Sequence, residues 1–431
     1  MSAAVAEPIA HYRAAFDAAR PGHSTTAAQR AAAFDRFAAL GFPGARDEAW
    51  KYTSLRRLES RRFPVRGEVG APVPVPLPSP LAAHRLAVVD GRLRPDLSSG
   101  GLPTGLRLRG LAEAQSDGEP LGALLRVTQG GGTERFSALN AALCPDVVLL
   151  DVAEGATAEP IEIVVASTAA EPGMSHPRLV IRAARGSTAR IIVRHVSDDT
   201  EQLVNAMVDV EVGTDAVVHL YRLLDAGARA FHIERIEATV GARGTFVAHD
   251  AQLGAGLARL DLFARLVAPQ AAAELTGLFL ADGSRHLDTH VRVDHLAVGT
   301  RSLQDYRGVA AGRGRAVFNG KSVVHEGAQQ SQARQSSRNL LLTPGAEIDT
   351  KPELEIYADD VQCSHGATTG QLDAAALFYL RSRGLSETEA RSALTRAFAG
   401  TVLSRMDHVA FAAAVRGALD ARLAALLEAQ P

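Results

Sequence analysis

The feature that most narrows the possible folds is a turn that keeps returning. G-S-T-A from Gly186, G-T-D-A from Gly213, G-A-R-G from Gly241 and P-Q-A-A from Pro269 start 27, 28 and 28 residues apart. Strand-length runs rich in Val, Ile, Leu and Phe lie among them, at 161–165, 179–181, 189–196, 207–212, 217–223, 233–240 and 245–248. None of these runs has helical periodicity. Turns at Gly312 and Pro344 continue the texture at wider spacing. A fixed period of this size marks a stacked repeat, in which each unit buries its apolar side only against its neighbours. The pattern predicts a mainly β chain whose core, residues 156–370, is a parallel β-helix or related solenoid. A β-sandwich is the alternative.

The flanks read differently. Residues 1–58 are Ala-rich and helical, with Ser24, Thr25 and Thr26 as a cap before Phe34, Phe37 and Leu40. The only tryptophan, Trp50, is expected to pack this region against the next unit. Residues 59–80 form a linker in which Pro72, Pro74, Pro76, Pro78 and Pro80 favour extended chain. Residues 81–155 read as a small mixed α/β unit, with a hairpin at Asp90-Gly91, a helix at 136–143 and a strand at 147–152. Cys144 there reads as a small buried residue. Residues 371–431 form a helical domain, opened by Asp373 and carrying the capping-box spacing Ser386 to Glu389. Its apolar faces must be buried on the solenoid or on another protein.

Composition excludes more than it suggests. The net charge of −2 over 431 residues leaves no nucleic-acid or membrane-surface footprint. No apolar run approaches the roughly 20 residues that span a bilayer, and no basic-then-apolar leader opens the chain. Two distant cysteines make no disulfide framework and fit a reducing cytoplasm. The run from Gly314 to Ser322 falls short of a nucleotide P-loop, with five residues between its glycines where four are needed.

Two groups of residues could carry chemistry. His286, Asp288, His290, Arg292 and Asp294 share one face if their segment is a strand. They could bind metal, but Arg292 in their midst favours a face knitted by ion pairs. The second group is Cys363 and His365, two residues apart and so on one face of an extended segment. A strand-like run, 354–358, precedes them, and Gly366 and Gly370 suggest a turn into helix directly after. A thiolate and an imidazole together could ligate a soft or borderline metal, or act as nucleophile and base. They could equally be a buried cysteine beside a structural histidine.

The run D-D-V-Q-C-S-H-G-A-T-T-G (359–370), followed by L-F-Y-L-R-S-R-G-L (377–385), resembles the C-terminal signature of the SufB/SufD family of iron–sulfur cluster assembly scaffolds. The C-S-H-G-A-T form, E-A-W-K-Y-T-S-L (48–55) and V-D-H-L-A (293–297) are similar to the SufD branch. This resemblance implies a central right-handed parallel β-helix between an N-terminal helical region and a C-terminal helical domain. It implies a non-catalytic scaffold that pairs with SufB through the end of the β-helix and, when alone, could form a homodimer. The C-terminal helices would hold SufC, the ATPase partner, to which ATP hydrolysis would belong. His365, and less firmly Cys363, would transiently ligate iron or a nascent iron–sulfur cluster shared with SufB, with no cofactor held stably by this chain alone. Two other functions remain open at this point. A β-helix polysaccharide lyase or hydrolase would use a groove at Asp288 and Asp294. A plain interaction protein would use Cys363 and His365 only structurally.

Overall fold

The computed structural model describes residues 3–19, 26–44, 46–66, 77–99, 101–128, 130, 132–167 and 171–428. Ser24 and Thr25, and the linker segment 67–76 with Pro72, Pro74 and Pro76, lie outside these. The core is a two-sheet β-solenoid in which successive strands alternate between the sheets. One sheet, here the front, stacks Thr188–Val196, Val217–Asp225, Thr245–Gln252, Ala272–Ala281, Arg301–Ala310, Ser331–Leu341 and Val361–Gly370 in parallel register. The back sheet stacks Gln202–Val212, Ala230–Val240, Leu257–Leu266, His286–His295, Arg315–Val324 and Glu347–Ile356 likewise.

The recurring turns hold the stack together along one side. Gly186, Asp215, Arg243, Gln270, Gly299 and Gln330 occupy equivalent places, each with φ between 52° and 69°. That left-handed conformation suits glycine and strains the others modestly. It aims each N–H along the solenoid axis at the next turn. The amides of Gly186, Asp215, Arg243, Gln270, Gly299 and Gln330 donate to the carbonyls of Thr214, Ala242, Pro269, Val298, Gln329 and Asp360. The strain is offset because the polar backbone of every turn is satisfied.

Inward-facing side chains such as Val210, Leu220, Ile236, Leu260, Leu275 and Val291 fill the lumen. A charged cluster interrupts them. Arg222 contacts Glu234 at 2.6 Å and Asp250 at 2.6 Å, and His195 and His232 both meet Glu234. The N-terminal helices Ala3–Ala18 and Ala27–Leu40 pack with helix Glu134–Leu143 on the outside of the back sheet, through Phe34, Phe37, Trp50 and Phe136 against Phe231 and Ile233. Thr26 precedes the second helix, but its hydroxyl accepts from the Arg30 side chain and does not cap a helix amide. Trp50 donates to the carbonyl of Gly132 and lies under the Arg259 guanidinium. Helices Glu387–Leu403 and Val409–Glu428 cover the front sheet through Val402, Phe411, Val415 and Leu419. No helix among the described residues is long and apolar enough to cross a membrane.

Strands within 81–155 are not a unit apart. His84–Val89 turns through Asp90-Gly91 into Arg92–Leu93, and then pairs in parallel with Ile161–Ala166 of the front sheet. Val148–Val152 pairs in parallel with Arg178–Ala183 of the back sheet. Both strands therefore begin the solenoid. A hairpin is local and readable, whereas a parallel partner tens of residues away leaves no local mark.

Candidate functional site

The solenoid ends on two strands whose outer edges pair with no described strand. They are Glu347–Ile356 at the end of the back sheet and Val361–Gly370 at the end of the front sheet. Cys363 and His365 stand on the second of them. They sit within the strand, not at its end, because Gly366 and Gly370 continue the ladder with Ser331–Leu341. The backbone pairs there whatever the side chain, so these glycines do not break the strand.

Register fixes where the pair sits. Cys363 lies beside Ala333 and His365 beside Gln335, and both of those neighbours are buried on the lumen face. Cys363, His365, Ala367 and Thr369 thus continue the lumen column one step further, to the open mouth. Nothing caps them. Cys363 is half-buried against Val324, Ala328 and Ala358, and His365 is exposed. Among the described residues the His365 side chain has no hydrogen-bond or ion-pair partner. Burial pushes the Cys363 thiol above its usual value, with a backbone contact from Ala333 opposing in part.

Beneath the mouth the lumen changes from apolar to polar. Gln335 donates to Ser322 Oγ at 2.7 Å and to the Glu353 carbonyl at 3.2 Å, and Gln304 donates to Ser322 Oγ at 3.1 Å. Asn339 links Ser337 and Thr369. The amide oxygens of Gln304, Gln335 and Asn339 are buried without a hydrogen-bond partner among the described residues. Sequence reasoning missed this layer. Its signal was the alternation of Gln335, Ser337 and Asn339 on the lumen side of a strand that also carries Arg334 and Arg338 outside.

The row at 286–294 is a different kind of surface. Arg259 reaches Asp288 at 2.7 Å, His290 reaches it at 3.0 Å and Thr53 donates to it at 2.6 Å. These partners hold the Asp288 carboxyl far below its ordinary range despite burial. Arg292 makes a two-point contact with Asp294. Asp288 and Asp294, the two carboxylates a glycan-cleaving reading would use, are each held by an arginine, which disfavours that reading. Residues 315–322 of the run 314–322 lie in strand Arg315–Val324 and form no phosphate loop.

These environments give a direct test of thiol reactivity. Cys144 is fully buried, with the Arg30 guanidinium on its carbonyl at 2.7 Å. Iodoacetamide near neutral pH is expected to modify Cys363 more slowly than a free thiol, and Cys144 only after unfolding, because the thiolate is the reactive form. Mass spectrometry of timed digests reads both. Fast labelling of Cys363 would contradict the surroundings described for it.

Comparison with known proteins bears on the whole chain. Residues 164–398 match the family model described as the SUF system FeS cluster assembly SufBD core domain. An iron–sulfur cluster assembly SufBD family protein of Synechocystis sp. is 31% identical over 415 residues, covering 91% of this chain and 90% of the relative. The iron–sulfur cluster assembly protein SufD of Escherichia coli is 30% identical over 365 residues, covering 83% and 84%. A SufBD family protein of Mycobacterium leprae is 30% identical over 412 residues, covering 89% and 92%.

Proposed function

The chain belongs to the SufBD family of the SUF iron–sulfur cluster assembly system, and from that premise we propose that it is a SufD-type scaffold subunit whose open solenoid end meets SufB. The observation that carries this reading is the position of His365 and Cys363, side by side on a terminal strand with a free edge. A bare edge offers a row of backbone donors and acceptors to a second chain. A SufB strand end laid against it would extend both sheets and close the lumen over the polar layer.

Iron or a nascent cluster is then the cargo held between the two chains. The neutral imidazole of His365 offers a lone pair to iron. The Cys363 thiol, raised by burial, would give up its proton on binding iron. The remaining ligands would come from SufB, so neither chain alone carries a complete set. An incomplete set suits cargo that must leave.

SufC would dock on the C-terminal helices. Helix Ala374–Ser382 buries none of its residues, and Phe378 and Tyr379 on it are 76% and 56% exposed. ATP hydrolysis would belong to SufC, whose closure would pull on this helix directly after the strand that bears His365. Truncating Phe378 and Tyr379 together to Ala is expected to weaken SufC binding by about 2 kcal/mol, roughly thirtyfold, if they are the aromatic anchors. Unchanged affinity by calorimetry would place SufC elsewhere.

Hydrogen exchange tests the SufB interface. The outward-pointing backbone amides of 347–370, those that do not donate to the preceding strands, should exchange quickly in the dilute chain and become protected on adding SufB. Protection that instead grows with the concentration of this chain alone would mark a homodimer through the same edges. No protection in either case would overturn the end-on interface.

A further inference from the structure

Far from the open mouth, on the outside of the front sheet, a second set of ligand-type side chains converges. We propose that His219, His249 and Asp407 form a binding site for one divalent transition-metal ion of the zinc class, which fastens the junction between the last two helices to the solenoid. The proposal does not depend on the reading of Cys363 and His365.

The register builds two thirds of the site. Tyr221, His249 and Thr276 lie side by side on three adjacent strands, and His219 shares the outward face of Tyr221 two residues before it. Asp407 comes from above, in the segment between helices Glu387–Leu403 and Val409–Glu428. Its neighbour Met406 is buried in the helix–sheet core, so the segment is already seated. Asp407 Oδ1 lies 3.9 Å from His219 Nδ1 and 4.0 Å from His249 Nε2. The three ligand atoms all fall within 4.8 Å of one another. Ligand atoms about 2 Å from a tetrahedral zinc ion stand about 3.3 Å apart, so the carboxylate must approach each imidazole by under about 1 Å and the two imidazoles each other by at most about 1.5 Å.

Three further observations suit a metal. His219 Nδ1 is buried and has no hydrogen-bond partner among the described residues, yet it faces the carboxylate. The other nitrogen of His249, Nδ1, is held by Thr276 Oγ1 at 2.6 Å. A bond of that kind fixes the tautomer of a ligating imidazole and leaves Nε2 free to coordinate. The Asp407 side chain is 51% exposed, which provides an entry path and a place for solvent to complete the ligand set. The Tyr221 hydroxyl donates to Asp407 and orients it. Arg190 also acts on this carboxylate, and Arg405 acts on His249, so both charges compete with an ion for the site.

The test uses the full chain in a Cys363→Ser, His365→Ala background, so that the mouth of the solenoid cannot supply the signal. Metal-free protein is dialysed against buffered Zn²⁺ and bound metal is measured by elemental analysis. One equivalent is expected. His219→Gln and His249→Gln should each weaken binding by at least a hundredfold, and Thr276→Val by ten- to a hundredfold. Arg190→Gln should tighten it by removing one competing charge. Should a histidine variant fail to fold, Asp407→Asn, at a half-exposed position, decides the matter by its own loss of binding. Absence of stoichiometric uptake, or uptake unchanged by His249→Gln or Asp407→Asn, would overturn the proposal.

Discussion

In an anaerobic reconstitution with SufB and SufC, His365→Ala is expected to leave the complex intact and to cut cluster accumulation to under about a tenth of wild type. The two halves of this prediction rest on different facts. His365 is exposed and bonded to nothing described in its own chain, and substitutions at such sites usually change stability by less than about 0.5 kcal/mol. Assembly seen by gel filtration should therefore persist. Losing even an outer-shell partner of a metal ligand typically costs 10- to 100-fold in affinity, so losing a ligand should cost at least that. Cys363→Ser should fall less far, because the thiol is held protonated by its surroundings. Absorbance of the accumulating cluster reads both variants. Clusters forming at the wild-type rate in His365→Ala would make the histidine a structural residue, and the chain a platform for chemistry done elsewhere.

The solenoid was legible because its turns repeat, and a repeat declares the fold before any strand is placed. Four of the six stacked turns described carry Asp215, Arg243, Gln270 and Gln330 where glycine would be easier. A search for glycine at that one position would have lost the period there. Parallel partners were not legible, which is why His84–Val89 and Val148–Val152 read as a separate unit before they proved to begin the two sheets. At the site, the spacing of Cys363 and His365 put them on one face correctly. The glycines after them suggested a turn that the backbone ladder overrides. Whether the strand was the last of its sheet could not be read from its own residues. The cluster of His219, His249 and Asp407 was harder still, because its members meet only through the turn-to-turn register and the return of the chain at Asp407.

Stability is expected to fall steeply as the pH drops from 6.5 to about 4, and histidines sealed in the fold are the cause. Burial lowers His176 from 6.5 to about 3, and lowers His232 and His295 each to about 4. In the unfolded chain these groups take up protons near 6.5, while in the folded protein they resist until about 4 or below. Between those limits the unfolded state binds more protons, so every step toward acid favours it. Above 6.5 both states are neutral at these positions and the contribution is flat. Each group costs about 1.4 kcal/mol per pH unit inside the window, on the order of 3 kcal/mol by pH 4. Three such groups rival the about 5–15 kcal/mol that holds a folded protein together. The ion-paired carboxyls of Glu234, Asp261 and Asp288 act in a lower window. Their folded values are depressed, so their stabilisation is present above the ordinary carboxylate range and is lost only as the pH falls below it. Urea titrations followed by circular dichroism at half-unit steps of pH separate the two windows. His176→Gln should lower the slope between 6.5 and 4 by about 1.4 kcal/mol per pH unit. A stability profile that stays level from 6.5 to 4.5 would mean that water or a local opening already lets these imidazoles charge within the folded chain.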